Sequence, residues 1–309
     1  MQRAYLGKLM EIAEKDPQVL HLVADSGTGF DEMFQHNFPK QMLNFGIAEE
    51  HMVAAAAGLA TGKKIPFVYT AGAFLAYRAL EFIRDDVCFQ NLNVKVVGMG
   101  SGLSWSSLGP SHHTTEDIAV LRAIPNLTIL SPATPYQVAA CVQKAYDDFG
   151  PVYIRIGMNG EQEFFNDDYK IPLNGMDAVK KGNKAILFTT GSILSEAIEA
   201  ASLLDAEGID TAVINVVQIK PFMSKSAIEM MKNAKYVITV EEHNIYGGLG
   251  GILAEVMAEH GIGKRLLRIG LNDVFATGYS NNQESMRKQN HLDAESIRQI
   301  VMEAYQSYE

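Results

Sequence analysis

The sequence predicts an α/β fold of two domains, each built on a mostly parallel sheet with helices on both faces. Short apolar, β-branched runs alternate with longer segments of helical period, which is typical of βαβ units. The alternation stops after Gly157 and resumes at Lys184, which divides the pattern into two blocks. A chain of 309 residues, of which 47% are hydrophobic, has enough material for two cores.

The first domain is predicted to span residues 1–165. Its apolar runs predict strands at 19–25, 65–69, 94–99, 127–130 and 152–156, and its helical periods predict helices at 3–14, 48–61, 73–90, 116–123 and 135–149. Ligands of parallel α/β sheets bind at the carboxyl ends of the strands. We therefore expect a site among the loops that follow Asp25, Tyr69, Met99 and Leu130.

The second domain is predicted to span residues 184–309, after a linker at 166–183 that mixes Gly, Asn, Asp and Pro without a period. Its predicted strands are 184–189, 211–216, 236–240 and 266–269, and its predicted helices are 194–206, 224–232, 250–260 and 292–305. The two halves thus carry comparable amounts of regular structure.

Composition and charge exclude several classes of protein. A formal net charge of −10, without a visible basic face, argues against binding to nucleic acid. No apolar run is long enough to cross a membrane, and the first residues lack the apolar block of a secretory signal, so we expect a cytoplasmic protein. Cys88 and Cys141 lie far apart in predicted helices and are expected to be buried, unreactive thiols.

The most informative segment is residues 44–51, which read Asn-Phe-Gly-Ile-Ala-Glu-Glu-His. Two carboxylates and a histidine open a slim, alanine-rich helix. One interpretation is that acids at this position only complement the helix dipole. The other is that a carboxylate leading an apolar helix serves proton transfer. The residues by themselves leave both interpretations open.

Several motifs in order resemble the transketolase family. Residues 46–51, with the Ala-Ala-Gly-Leu-Ala at 56–60, resemble the pyrimidine-domain signature of transketolases and 1-deoxyxylulose-5-phosphate synthases. The similarity continues at 69–77, at Leu-Gly-Pro-Ser-His (108–112), at 125–132 and at 150–155, and then at 190–192 and 240–251 in the second domain. The chain therefore resembles the C-terminal section of a transketolase, with a pyrimidine-binding domain and a transketolase C-terminal domain.

The resemblance implies thiamine diphosphate as the cofactor, with Glu49 bonded to a pyrimidine nitrogen so that the cofactor's own amino group becomes basic. It implies that Phe74, Tyr77 or both stack on the pyrimidine, although ordinary core packing also explains this pair. His112 is implied as a second catalytic residue that contacts the cofactor's amino group or a substrate oxygen. A solvent-facing histidine pair with His113 is the alternative, and no metal ligands are predicted.

Three further site residues follow from the resemblance. Asp25 matches a position near the cofactor's thiazolium, although a turn residue at a strand end is an equal interpretation. Arg155 matches an arginine that binds a distal substrate phosphate, with a surface ion pair as the alternative. Arg3 is a weaker match to another such arginine.

The Gly-Asp-Gly element, by which the family holds Mg²⁺ and the diphosphate, does not occur in the sequence. We therefore expect a partner chain, similar to the N-terminal part of a transketolase, that supplies the Mg²⁺ ligands. The predicted assembly contains two copies of each chain, with two copies of this one forming a homodimer. Leu108 replaces a family acid, and Gly100 or Met99 replaces a phosphate-contacting histidine, so the sugar or sugar-phosphate substrate is expected to differ.

The predicted function is transfer of a two-carbon ketol unit from a ketose to an aldose by a split, transketolase-like enzyme. One alternative is the β-type subunit of another thiamine-diphosphate enzyme, either a 2-oxoacid dehydrogenase or a deoxyxylulose-phosphate-type synthase. A non-catalytic relative is the other alternative, although such a protein has no need for both Glu49 and His112.

Overall fold

The computed structural model describes residues 1–25, 29–278 and 280–306 and contains two sheets. The first sheet has seven strands in the order β10-β5-β6-β4-β3-β1-β2. The strands are β1 Val19–Val23, β2 Met42–Asn44, β3 Ile65–Ala71, β4 Lys95–Met99, β5 Thr128–Leu130, β6 Val152–Ile156 and β10 Gln218–Lys220. All pairings are parallel except that of β10 with β5. Tyr69 lies opposite both Val23 and Val97, so the carboxyl ends of three central strands are level.

Helices cover both faces of this sheet, as predicted. They are α1 Gln2–Ala13, α2 Gly29–Asn37, α3 Glu49–Thr61, α4 Leu80–Phe82, α5 Asp117–Arg122 and α6 Pro135–Asp147, and π-helical runs at Phe74–Arg78 and Ile83–Cys88 flank α4. Apolar residues of α1 and α6 fill one core with Val97, whereas α3 and the π-helical segment fill the other with Val68. Each central strand is therefore buried on both faces, which explains its continuous apolar sequence.

The second sheet has five strands in the order β12-β11-β8-β9-β7. Its strands are β7 Met176–Lys180, β8 Ala185–Thr189, β9 Thr211–Val216, β11 Tyr236–Asn244 and β12 Leu266–Leu271. The associated helices are α7 Leu194–Ala206, α8 Ser224–Met231, α9 Leu249–Glu259, α10 Gln283–Gln289 and α11 Ala294–Gln306. Only β7 runs antiparallel, as an edge strand on β9, so this sheet is also mostly parallel.

The predicted fold class is confirmed, and each predicted strand and helix has a counterpart within a few residues. The prediction of a linker at 166–183 is wrong for Met176–Lys180, which forms β7. This strand is half exposed at a sheet edge, so it lacks the apolar run by which the other strands were predicted. The short strands β2 and β10 and the helices α2 and α10 were also not predicted.

The helices and the two cysteines bear on the predictions about membrane segments and thiols. Within the described residues, no helix combines the length and hydropathy that crossing a membrane demands. Cys88 and Cys141 are both free and buried, as predicted. Burial raises the pKa of the Cys88 thiol to about 12, so the unreactive thiol form dominates at neutral pH.

Candidate active site

Three segments that follow strands of the first sheet meet at its carboxyl edge. Helix α3 begins just after β2, the π-helical run Phe74–Arg78 follows β3, and the loop at 100–116 follows β4. Because β3 is the neighbour of β4 and of β1 in the sheet, these segments come together in space although they are far apart in sequence. The candidate site lies where they meet.

Glu49 is the first residue of α3 and is only 1% exposed. The turn before it is fixed by Gly46, whose positive φ of 65° suits glycine and whose N–H donates to Asn44 Oδ1 at 2.9 Å. The helix that follows buries Met52 and Val53 against the sheet. A carboxylate is thereby held at the head of an apolar helix, whose free N–H groups and dipole favour negative charge.

Arg78 is the partner of this carboxylate. Its Nη1 donates to Glu49 Oε2 at 2.7 Å, and its guanidinium carbon lies 4.8 Å from the centre of the Phe74 ring. The Arg78 side chain is 42% exposed, whereas the Glu49 side chain is 2% exposed. Arg78 therefore binds the buried Glu49 carboxylate while part of its own side chain stays exposed to solvent.

Arg78 was not identified from the sequence, although its spacing was a usable signal. Phe74 and Arg78 are four residues apart, and residues at this spacing lie on the same face of a regular helix. The structure shows a π-helical run at Phe74–Arg78, in which the two side chains are still neighbours. The pairing of Arg78 with Glu49 is a tertiary contact and could not be read from this spacing.

His112 contacts the same aromatic ring as Arg78. Its ring centre is 5.2 Å from that of Phe74, edge to face, and 5.9 Å from that of Trp105. Its Nδ1 is 2.9 Å from Ser111 Oγ. Phe74 therefore has Arg78 and His112 as neighbours, and the structure brings the predicted residues Glu49, Phe74 and His112 into one group.

Tyr77 does not join this group. Its hydroxyl donates to Glu116 Oε2 at 2.9 Å and accepts from the Glu116 N–H at 2.9 Å. These two bonds hold the phenol against the start of α5 rather than beside Phe74. Of the two predicted aromatic residues, Phe74 is the one that borders Glu49 and His112.

His113, the neighbour of His112, is 2% exposed. Neither of its ring nitrogens has a hydrogen-bond partner among the described residues, although the Trp105 carbonyl lies nearby. Burial lowers the pKa of His113, so its ring is neutral at physiological pH. Of the two adjacent histidines, only His112 faces the site.

Arg155 is enclosed by bonds to its own chain. It is 2% exposed on β6, and its Nε donates to both carboxylate oxygens of Asp117, at 2.9 and 3.1 Å. One of its terminal nitrogens donates to the carbonyls of Thr114 and Glu242. The guanidinium thus forms an ion pair within the first domain and a bond to the second, and its predicted contact with a substrate phosphate stays a prediction.

This buried pair predicts a large loss of stability for Arg155→Met. We expect the free energy of unfolding to fall by about 3–5 kcal/mol, because Asp117 would keep a buried charge without its partner. The measurement is denaturant unfolding of both proteins. Arg122→Gln is the matched control, since its pair with Glu255 is partly exposed and its loss should cost under about 1 kcal/mol. Equal losses in the two variants would contradict the structural role of Arg155.

Asp25 and Arg3 lie at the periphery of the group. Asp25 follows β1 with a positive φ of 46°, an exposed side chain and an N–H that donates to Asn44 Oδ1 at 3.2 Å. It thus shares the Asn44 side chain with the turn that precedes Glu49. Arg3 lies in the first turn of α1 with an exposed side chain. The predicted roles of both residues stay predictions.

The group fits the pyrimidine half of thiamine diphosphate. A flat, nitrogen-bearing ring needs an acid that can bond one ring nitrogen and an aromatic wall that does not compete for the others. Glu49 and Phe74 provide these two features on one side of the site. Among the described residues, no three His, Cys, Asp or Glu side chains are grouped as metal ligands would be.

Comparison with protein families matches both halves of the chain. Residues 1–159 match the family model described as transketolase, pyrimidine binding domain, and residues 175–303 match that described as transketolase, C-terminal domain. One subunit of an apulose-4-phosphate transketolase from Actinobacillus succinogenes is 40% identical over 284 residues, which cover 91% of this chain and 90% of the relative.

Two more relatives extend the comparison. A 1-deoxy-D-xylulose-5-phosphate synthase from Chlorobium luteolum is 34% identical over 304 residues, but these cover 97% of this chain and only 47% of the synthase. A solved structure described as a split gene transketolase, inactive β4 tetramer, superposes with a TM-score of 0.87 at 34% identity. That match covers 98% of this chain and 97% of the other.

Proposed function

Because this chain belongs to the transketolase family, we propose that it is the pyrimidine-binding subunit of a two-chain, thiamine-diphosphate-dependent ketol transferase. The enzyme moves a two-carbon ketol unit from a ketose to an aldose. The observation that carries the proposal is the buried carboxylate of Glu49, which Arg78 joins to Phe74 and thereby to His112. The relatives support the division into two chains, since one is described as a transketolase subunit and another as a split-gene protein.

Each residue of the group has a distinct task in this proposal. The bound cofactor supplies a nucleophilic carbon that can cleave and form bonds next to a carbonyl group. Glu49 bonds a pyrimidine nitrogen from the head of α3, and Phe74 stacks on the ring. His112 donates or accepts a proton at a substrate oxygen or at the cofactor's amino group, a task for which its half-buried ring has both a donor and an acceptor nitrogen.

Arg78 keeps the acid in place. Its single bond to Glu49 Oε2 leaves the other carboxylate oxygen for the pyrimidine nitrogen. Because Arg78 also packs over Phe74, one side chain fixes the relative positions of the acid and the aromatic wall. Such positioning matters because misplacement of a catalytic group by about 1 Å can cost about 100-fold in rate.

The partner chain supplies the rest of the site in this proposal. It holds Mg²⁺ and the diphosphate, for which this sequence has no Gly-Asp-Gly element. Exposed apolar side chains next to the site, Leu43 at 41% and Ile47 at 77% exposure, suit burial against another chain. The proposed assembly contains two copies of each chain, so that sites form across a two-fold axis.

Transfer of a two-carbon unit from pyruvate is the second candidate, because the relatives include a 1-deoxy-D-xylulose-5-phosphate synthase. Pyruvate and hydroxypyruvate both lose CO2 as donors, but only hydroxypyruvate, like a ketose, delivers a unit that carries a hydroxyl group. Glu49 and Phe74 serve the cofactor in both reactions, so the group does not separate them. The donor must be identified by assay.

Reconstitution tests the proposed function. We expect ketol transfer from hydroxypyruvate to an aldose panel only when this chain is mixed with the candidate partner, thiamine diphosphate and Mg²⁺. Each chain alone should be inactive, because neither holds the whole cofactor. Turnover with pyruvate instead of hydroxypyruvate would favour the synthase. A mixture that binds the cofactor and turns over neither donor would contradict the proposal.

A further inference from the structure

A cavity of about 620 Å³ lies between the two domains, on the side of the 100–116 loop that carries Trp105. Two segments of the first domain, residues 104–107 and 158–162, line one wall. The opposite wall consists of Ser192 and Ser195 at the start of α7, residues 281–284 at the start of α10, and Arg287 further along α10. None of Glu49, Phe74 and His112 lines this cavity, which distinguishes it from the candidate active site.

The lining side chains are mostly hydroxyls and amides. Ser107, Gln162 and Asn281 line the cavity with side chains that have no hydrogen-bond partner among the described residues. Hydrogen-bond donors and acceptors therefore both line the cavity, whose volume is large enough for a small molecule with several polar groups. A ligand with many hydroxyl groups matches such a lining, because each hydroxyl can both donate and accept.

The charges of the lining disfavour an anion. Its cationic side chain is Arg287, which is 8% exposed and whose donors are used by Glu242, Glu196 and Ser192. Two carboxylates, Glu161 and Glu284, also line the cavity. Glu161 is paired with the N-terminal ammonium at 3.2 Å, as Arg287 is with its own acids, and Glu284 adds a further negative charge. A phosphate or sulfonate would therefore have to compete with these carboxylates for the cations, whereas a neutral ligand would not.

Trp105 adds an aromatic wall and is the one tryptophan of the sequence. Its indole packs so closely on Gly100 that a Cβ there would lie 2.0 Å from Nε1. A larger residue at position 100 would therefore displace the indole. The apolar C–H faces of a sugar ring pack well on such an immobile indole.

We propose that this interdomain cavity binds a neutral, polyhydroxylated small molecule, a free sugar or polyol, with Trp105 as its stacking wall. Binding requires neither the cofactor nor the partner chain, because all of the lining residues belong to this chain. Since the Trp105 ring also lies 5.9 Å from that of His112, an occupied cavity contacts the loop of the candidate active site.

The test is titration of the isolated full-length chain, without cofactor, by tryptophan fluorescence and by calorimetry. The probes are ribose, xylose, fructose, glucose and xylitol, together with ribose 5-phosphate and fructose 6-phosphate. We expect saturable binding of at least one neutral probe, and binding of its phosphate ester that is weaker by at least about 10-fold. Because no turnover is measured, failure of the proposed function would leave this result unchanged.

Ser195→Phe and Ser202→Phe form a matched pair on α7. Ser195 lines the cavity, whereas Ser202 is exposed on the same helix and does not. The first variant should weaken binding by at least about 10-fold by filling the cavity, and the second should bind as the unchanged chain does. Absence of saturable binding of every neutral probe, tighter binding of a phosphate ester, or unchanged binding by Ser195→Phe would each overturn the proposal.

Discussion

Glu49→Gln is expected to lower kcat of the reconstituted enzyme by about 10²–10⁴-fold, the range associated with loss of a positioned acid or base. The amide has the shape of the carboxyl group, so the buried position at the head of α3 can accept it. It cannot exchange a proton with the pyrimidine nitrogen as a carboxyl group does. It also removes the negative charge that Arg78 pairs with. The measurement is ketol transfer from hydroxypyruvate at saturating cofactor.

Glu50→Gln is the matched control. Glu50 is the next residue in the same helical turn and is partly exposed, so its loss should change kcat by less than about 3-fold. A large loss in Glu50→Gln together with a small one in Glu49→Gln would show that the acid had been assigned one position too early. Equal, small losses in both would favour the non-catalytic relative. The pair of variants thus tests both the assignment and the activity.

Much of the fold was predictable because its central strands are buried on both faces. Such strands are continuous apolar runs, and β3, β4 and β6 were located within two residues of their observed ends. Edge strands carry no such signal. β10 contributes only three residues to the first sheet from the second half of the chain, a pairing that no local pattern encodes.

The candidate site was predictable only in part. The motif around Glu49 and the loop around His112 were found because they are local in sequence. Arg78 was missed because its bond to Glu49 joins residues 29 apart in sequence, a tertiary contact that no local pattern encodes. For Arg155 the sequence left two roles open, because an arginine at a strand end can serve a substrate or an ion pair, and its burial against Asp117 is a tertiary property.

The interface between the domains includes bonds to the loop at 100–116, which carries His112. Residues of β11 hold this loop directly, since the Asn244 N–H donates to the Thr115 carbonyl at 2.7 Å and Arg155 joins the carbonyls of Thr114 and Glu242. The second domain therefore helps to position the loop at 100–116, although it supplies none of Glu49, Phe74 and His112. Its contacts immobilise the strand-like segment that follows the histidine.

His112→Asn is expected to lower kcat by about 10²-fold while it changes the dissociation constant of the cofactor by less than about 3-fold. The imidazole borders Phe74 from the substrate side and can move a proton, whereas an asparagine amide cannot. Glu49 and Phe74, which are proposed to hold the pyrimidine, are unchanged in this variant. The measurements are kcat with hydroxypyruvate and cofactor binding by calorimetry.

His113→Gln separates the two adjacent histidines. Neither ring nitrogen of His113 has a hydrogen bond of good geometry among the described residues, and the Trp105 carbonyl near the ring is one that the amide of Gln can also approach. We expect a folded protein whose kcat falls by less than about 5-fold. If His113→Gln lost as much activity as His112→Asn while its unfolding transition stayed unchanged, the proton-transferring histidine would be His113. Burial lowers the pKa of His113, which disfavours the protonated ring that a proton donor needs. We therefore expect His112→Asn to lose more activity than His113→Gln.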